Sequence, residues 1–341
     1  MSAAGRRSQG CAFRPAALLL VLLLALLNTL SAPACKTETP TQPIVPPPEP
    51  PPPASEIYVD AAAGDDGGGD GSESKPYRTI GMGIQKSSPG MTVIVNPGRY
   101  DAALGESFPL RLKENVTLRG ADAAQVTVDG GGTDSVLEDA PQARIERLTV
   151  RGGRPAGVVL RHASALVSCV LTGNFRGVVC ESSAAIESNV VRENTDTGIY
   201  LQGESSAAVR DNTVAWNDGD GVECVDSSTP RLEGNVIREN RKHGLTCTDS
   251  SAPTLEENTV TQNVLPEVYV LYDARPTLTG NVIRGNERYG IDDARSANRG
   301  QITALNNTWD DPQPMGTIHG PADRRPVYWI KEAGNSIKFS D

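Results

Sequence analysis

Asp220, Glu223 and His243 are the residues of this chain best suited to moving a proton, and they fall at related phases of a sequence repeat. Numbered from the first apolar residue of each repeat, position 15 reads Tyr200, Glu223, Thr246, Tyr269 and Asp292. Position 12 reads Thr197, Asp220, His243, Pro266 and Tyr289. Stacking of successive repeats would bring Asp220, Glu223 and His243 to one patch, flanked by Tyr200, Tyr269 and Tyr289. Two chemistries suit such a patch. Aromatic rings stack on pyranose faces and carboxylates bond hydroxyls, so Tyr200, Glu223, Tyr269 and Tyr289 form a candidate glycan face. Paired carboxylates about 5 to 9.5 Å apart are the machinery of glycoside hydrolysis, which makes Asp220 and Glu223, with His243 beside them, the candidate catalytic groups. Many surface pairs meet that spacing, and a solvated outer face of mixed charge is the plainer reading of the same residues.

Metal chemistry has one candidate. The loop GDDGGGDGSES, Gly64 to Ser74, offers Asp65, Asp66 and Asp70 as oxygen ligands for calcium,. It lacks the spacing and closing glutamate of an EF-hand loop, and a turn-rich cap loop is the plainer explanation. There is no CxxC, and His162, His243 and His319 are scattered, so no transition-metal site is expected,. Cys180, Cys224 and Cys247 fall at or near position 16, with Leu201 and Val270, and read as inward core residues,. Cys224 and Cys247 would lie on adjacent coils, where a disulfide is conceivable in an exported protein although stacked side chains run parallel. No GxSxG, P-loop or GxGxxG element follows a strand, and apart from calcium no cofactor is expected.

Positioning these residues falls to the repeat. Its starts are Ile145, Leu166, Ile186, Val209, Leu232, Leu255, Leu278 and Ile302, at spacings of 21, 20, 23, 23, 23, 23 and 24 residues. Position 4 is Asn189, Asn212, Asn235, Asn258 and Asn281, with Cys169 in that place one repeat earlier. Position 9 is Asn174, Asn194, Asn217, Asn240, Asn263 and Asn286. Position 13 is Gly198, Gly221, Gly244 and Gly290, with Glu267 the exception. A period of this length signals a solenoid, each repeat burying its apolar side against its neighbours. Leucine-rich repeats share the length but need more leucines and a convex helix or tight turn. Here Val and Ile recur two apart, the strand period, and no long amphipathic helical stretch appears. The expected fold is all-β, a coil of parallel strands stacked about 4.8 Å apart. An asparagine in such a coil meets its counterparts above and below, donating to one and accepting from the other as a buried ladder. Asparagine and glycine are also expected to supply left-handed backbone at the turns. Aromatic residues make up only 4% of the chain, which suits a thin core of small branched side chains better than one broad globular core.

The ends of the chain speak to its address. Arg6, Arg7 and Arg14, an apolar run from Ala16 to Leu27, and Ala32-Pro33-Ala34 make the pattern of an export signal,. The run is shorter than a bilayer span. A twin-arginine signal does not fit, because Ser8-Gln9-Gly10 follows Arg6-Arg7 where an apolar continuation belongs. Cys35 directly after Ala34 is similar to the lipidated cysteine of bacterial lipoproteins, although Ala32 stands where those signals usually carry leucine. Ordinary signal cleavage is the alternative. The segment TPTQPIVPPPEPPPPAS, Thr39 to Ser55, reads as an extended spacer that cannot join a sheet interior,. Loss of the signal removes three arginines and no acid, taking the net charge from −10 to −13. Such acidity argues against nucleic acid as a partner.

The repeats NVVREN…TGIYL, NTVAWN…DGVEC, NVIREN…HGLTC and NVIRGN…YGIDD resemble the right-handed parallel β-helix repeat. The superfamily that carries it includes pectate lyases and periplasmic copper-centre maturation proteins. The resemblance implies a single-stranded right-handed parallel β-helix. In its polysaccharide-acting members the strand after the position-13 glycine commonly lines the groove. Pectate-lyase-like enzymes use clustered aspartates to hold calcium and a basic residue to remove a proton. Here no three aspartates cluster over adjacent coils, and Arg238 and Arg241 lie near turns. Upstream, IYVDAAAGDDGGGDGSESKPYRTIGMGI, TVIVNPGRY and ESFPLRLKENVTLRG are similar to the domain-of-unknown-function 1565 family, in which such a segment opens the β-helix. No activity comes with that resemblance.

The expected organisation is an export signal of lipoprotein type over 1–34 and a proline-rich linker over 35–55. A cap with irregular first coils follows over 56–144, then regular repeats over 145–309 and a C-terminal cap over 310–341. Two classes of function remain. One is a non-catalytic protein of the bacterial envelope, in the outer membrane or periplasm, that binds polysaccharide or another envelope component. The other is a polysaccharide lyase or glycoside hydrolase working on the same face. If Cys35 is not acylated, the protein would be soluble in the periplasm or secreted.

Overall fold

The computed structural model describes residues 55–284, 290–294, 302–305, 307–311, 318–319, 330–333 and 336–339. Cys35, Asn286 and Tyr289 lie outside the described residues. The fold is a right-handed parallel β-helix whose strands form sheets of twelve, ten and eleven members, each coil adding one strand to each sheet. In the regular coils the strands are mostly three residues long. Ile199–Leu201 shows why: Ile199 and Leu201 are buried and Tyr200 between them faces outward. Alternation of this kind gives each strand one face for the core and one for solvent.

The core consists of stacks. Ile145, Leu166, Ile186, Val209, Leu232, Leu255 and Leu278 are successive register partners in the twelve-stranded sheet. Val150, Leu171, Val191, Val214, Ile237, Val260 and Ile283 do the same in the eleven-stranded sheet. All of these side chains are essentially sealed from solvent, and each contributes about 1.5 to 3 kcal/mol of transfer free energy. Cys180, Cys224 and Cys247 are inward, as their phase predicts, and fully buried. Cys224 and Cys247 are direct register partners. Burial, then its neighbour Cys247, pushes the Cys224 thiol well above its ordinary range.

The two asparagine ladders run as the repeat predicts. Asn235 is typical: its Nδ2 donates to Val209 O and to Asn258 Oδ1, both at 2.9 Å. Its Oδ1 accepts from the backbone N and Nδ2 of Asn212, at 3.0 and 2.9 Å. Cys169 enters the first ladder through its backbone N, which donates to Asn189 Oδ1 at 2.9 Å. The left-handed backbone is not on the ladder asparagines, however. It falls one residue earlier, at Ser188, Asp211 and Glu257 before the first ladder and at Glu193, Trp216, Glu239 and Gln262 before the second. An asparagine aimed into the coil cannot also turn the corner, so the preceding residue, with its side chain outside, takes the positive φ.

The position-13 glycines answer to space. A Cβ on Gly221 would lie 2.5 Å from Ile237 Cγ2 and 2.7 Å from both Asn240 Nδ2 and Gly244 O. Gly177, Gly198 and Gly244 meet the same obstruction from the next coil.

Two boundaries differ from the sequence reading. Leu278 pairs with Ala304, not Ile302, so the coil that starts at Leu278 is two residues longer than counted. The first ladder therefore continues to Asn307, whose Oδ1 accepts from Asn281 Nδ2 at 2.9 Å. Past residue 309, where a cap is expected, Ile330–Ala333 and Ser336–Phe339 still pair in parallel with the coil before them. At the other end a seven-residue helix, Ile80–Lys86, packs Ile80, Gly83 and Ile84 inward. Thr79 caps it, and buried Glu106 accepts from the N–H groups of Ile80 and Gly81 at 2.6 and 3.0 Å.

Candidate functional site

The ten-stranded sheet carries the predicted patch on its outer face. Tyr200, Glu223, Thr246, Tyr269 and Asp292 are successive register partners, so the position-15 column is real. Beside it, three residues back along each strand, runs Arg176, Thr197, Asp220 and His243. Each member of this second column reaches diagonally to the first column of the next coil. The Arg176 guanidinium lies 3.8 Å from the Tyr200 ring centre. Thr197 Oγ1 donates to Glu223 Oε2 at 3.1 Å. Thr246 Oγ1 donates to Asp220 Oδ2 at 3.0 Å. The rings of His243 and Tyr269 are stacked, 4.4 Å between centres and 4° from parallel. Coil spacing dictates the pattern, because side chains a coil apart are already at van der Waals distance.

Asp220 and His243 do come together. His243 Nδ1 lies 3.0 Å from Asp220 Oδ1, which also accepts from the His243 backbone N at 2.8 Å. With Thr246 on its other oxygen, the buried Asp220 carboxylate is fully engaged by protein. Glu223 is half-buried, and burial first, then the Asp220 charge, raises its pKa above the usual carboxylate range. Burial likewise raises the phenols of Tyr200 and Tyr269, with Glu223 adding to the first and Asp292 to the second. The tyrosines are less free than the sequence suggests: each has one ring face covered, by Arg176 and by His243. What remains outward is an edge, a hydroxyl and one face. Arg176 is the member that sequence reasoning missed. Its signal was its place directly before Gly177, the phase of Thr197, Asp220 and His243 in later coils.

A second feature, absent from the sequence reading, lies on the turn leading into these strands. A cavity of about 400 Å³ is lined by Glu193, Trp216, Asp218, Glu239 and Arg241. Asp218 and Arg241 form an ion pair at 3.2 Å, each two residues before Asp220 and His243. Trp216 is 46% exposed, sits at φ +54° and has the Arg238 guanidinium 4.7 Å from its ring centre. The left-handed conformation costs a residue with a Cβ roughly 1 to 2 kcal/mol.

In the acidic loop near the start, each of the three candidate carboxylates accepts hydrogen bonds from nearby groups. Asp65 Oδ1 accepts from Gly67 N at 2.9 Å, and Asp70 Oδ1 from Ser72 N at 2.9 Å. Asp66 accepts from Arg78 N, Thr79 N and Thr79 Oγ1, tying the loop to the helix start. The three carboxylates therefore order their own loop. Among the described residues no three His, Cys, Asp or Glu side chains converge as a metal site.

The fold has solved counterparts. The A-module of mannuronan C-5 epimerase AlgE4 from Azotobacter vinelandii superposes with a TM-score of 0.56 at 16% identity, covering 72% of this chain and 86% of that one. Pectate lyase Pel9A gives 0.53 at 15% identity, covering 84% and 77%. The catalytic unit of a GH87 α-1,3-glucanase from Streptomyces thermodiastaticus gives 0.51 at 15% identity, covering 77% and 66%. At such identities the likeness establishes a shared β-helix fold. A search of curated protein sequences finds no match. The model of the family described as protein of unknown function DUF1565 does match, over residues 62–315, and the chain belongs to that family.

Proposed function

We propose that this is an exported, lipid-anchored β-helix protein of the bacterial cell envelope that binds polysaccharide, without turning it over, on the outer face of the ten-stranded sheet. The carrying observation is the diagonal band itself. It fixes Tyr200, Glu223 and Tyr269 along one column, a linear array of aromatic edges and acceptors matched to an extended chain of sugars. Solved proteins of like fold include, by their names, a mannuronan epimerase, a pectate lyase and an α-1,3-glucanase. The non-catalytic part of the reading rests on Asp220, whose oxygens are taken up by His243 and Thr246. The N-terminal signal, Cys35 and the proline-rich spacer supply the export and anchoring part. A glycan array tests the reading. Tyr200→Ala and Tyr269→Ala should weaken the ligand found with the melting temperature nearly unchanged, since outward rings add little to a solenoid core. An array without a ligand, or ligands indifferent to both substitutions and to Glu223→Gln, would remove it.

One observation favours catalysis as the second reading. Asp220 holds the His243 ring through Nδ1, and Glu223 beside them has a raised pKa, the pairing of environments that general acid–base chemistry uses,. On that reading Glu223→Gln abolishes turnover of a uronic-acid or neutral glycan while keeping its binding, because an amide preserves shape but cannot exchange the proton.

A further inference from the structure

We infer that the cavity around Trp216 is a sugar subsite of its own, selective for neutral pyranose units over uronic acids; this rests on the reading of the protein as a polysaccharide binder. Three independent features point there. The first is the cavity, whose 400 Å³ falls within the range of small-molecule sites, roughly 300 to 1,000 Å³,. The second is Trp216 itself. In the same turn position the preceding coil has Glu193 and the following coils Glu239 and Gln262, all polar, and the coil before Glu193 has Gly173. A tryptophan there adopts a backbone that glycine would take without strain and leaves 46% of its surface in water. Neither feature serves the core, whereas a broad apolar ring backed by the Arg238 guanidinium is a platform for the C–H face of a pyranose,.

The third feature is the charge of the rim. Glu193, Asp218 and Glu239 offer carboxylate oxygens to sugar hydroxyls, and Arg241 is paired with Asp218 at 3.2 Å. Glu193 is in turn held by Arg192 at 2.6 Å, and Glu239 by Arg238, so both acceptors are fixed in place. Each of the three lining carboxylates already has a guanidinium partner, from Arg192, Arg241 or Arg238, so the site offers a uronate no unpaired cation and leaves carboxylate lone pairs for hydroxyl groups. The position matters as well. Asp218 and Arg241 belong to the same two coils as Asp220 and His243, so the cavity flanks the outer-face column, and one glycan chain can meet both.

Intrinsic tryptophan fluorescence and calorimetry on the full-length protein test this. The titrants are hexasaccharides of β-1,4-glucan, β-1,3-glucan, α-1,4-glucan, xylan, mannan and chitin, against hexamers of mannuronate and galacturonate. At least one neutral hexamer should bind saturably and shift the emission, with the uronates at least tenfold weaker. Trp216→Gly should weaken the neutral ligand at least tenfold with an equal or higher Tm, and Trp216→Tyr should keep most of the affinity. A Tm that falls in Trp216→Gly with Kd unchanged would make the residue structural and overturn the inference. So would uronates that bind tighter than neutral sugars through Trp216, or a panel with no binder. Tyr269→Ala separates this inference from the broader reading. Loss of affinity only in Tyr269→Ala removes the Trp216 subsite and leaves the outer-face column. Loss only in Trp216→Gly upholds the subsite and removes the column.

Discussion

Glu267 occupies the phase at which the neighbouring coils carry glycine, and its carboxylate accepts from the backbone N of Asn263 at 3.3 Å and from its Nδ2. It thus stands in the ladder as an acceptor, as each next asparagine does elsewhere. The group is sealed from solvent, and burial, outweighing those hydrogen bonds, pushes its pKa up to about 8. Burial also raises Glu106 to about 7, and Glu223 shifts in the same direction. The folded chain therefore holds protons that the unfolded chain releases near pH 4.5. The stability these groups contribute is complete below that pH and is lost as pH rises through 7 to 8. Asp60, Asp101 and Glu146 have lowered pKa values and act at the acid end, outside this window. Tm should fall between pH 5 and pH 8.5, and Glu267→Gln should flatten the fall by on the order of 3 kcal/mol at the alkaline end. Parallel pH–Tm curves for parent and variant would refute it. Asn235→Ala tests the ladder directly. It strips acceptors from the N and Nδ2 of Asn212 and should cost about 1 to 3 kcal/mol in denaturant unfolding,. An unchanged midpoint would mean that the ladder amides are not what satisfies this column.

At the scale of the coil, stacking distance decides which residues are tolerated. Gly221→Ala would place a methyl 2.5 Å from Ile237 Cγ2 and 2.7 Å from the Gly244 carbonyl oxygen, and backbone cannot yield there as a long side chain would. A loss of roughly 1 to 3 kcal/mol is expected, readable as a lower urea midpoint with m unchanged. The same distance explains why so much of the fold was legible beforehand. Whatever repeats at coil spacing is written into the sequence, and so the ladders, the inward cysteines and the Tyr200–Glu223–Tyr269 column could all be placed. What does not repeat was harder. The coil that starts at Leu278 lengthens by residues that match no earlier position, which hid the pairing of Leu278 with Ala304 and with it Asn307. The helix Ile80–Lys86 contains two glycines in seven residues and carries no intrinsic helix signal; Thr79 and Glu106 hold its start from outside. The Trp216 cavity lies on a turn, where the spacing of apolar residues says nothing about which side chains converge.

A solenoid gives every coil the same kind of outer face, so on the proposed reading affinity for a polymer would come from adding weak contacts along its length. Contacts of that kind gain most when the protein is held where the polymer is, because fixed copies engage one chain at several places and effective concentration replaces intrinsic affinity. The N-terminal sequence suits that arrangement. Cys35 directly follows the cleavage-like Ala34, and the proline-rich stretch to Ser55 separates it from the first strand, Glu56–Val59. Two or three acyl chains on one cysteine would anchor stably where a single chain would not. Among the described residues no helix is long and apolar enough to cross a membrane; the anchoring proposal rests on Cys35 and its sequence context. Cells grown with radioactive palmitate should label the protein, and Cys35→Ser should abolish the label and release the chain from the membrane fraction. The purified variant should bind an isolated oligosaccharide with unchanged Kd, yet its retention on polysaccharide-coated cells should drop by tenfold or more. A parent protein found soluble, with an unmodified N-terminus at Cys35, would sink the anchor. Equal retention of the two forms on cells would show that the outer face binds tightly enough alone.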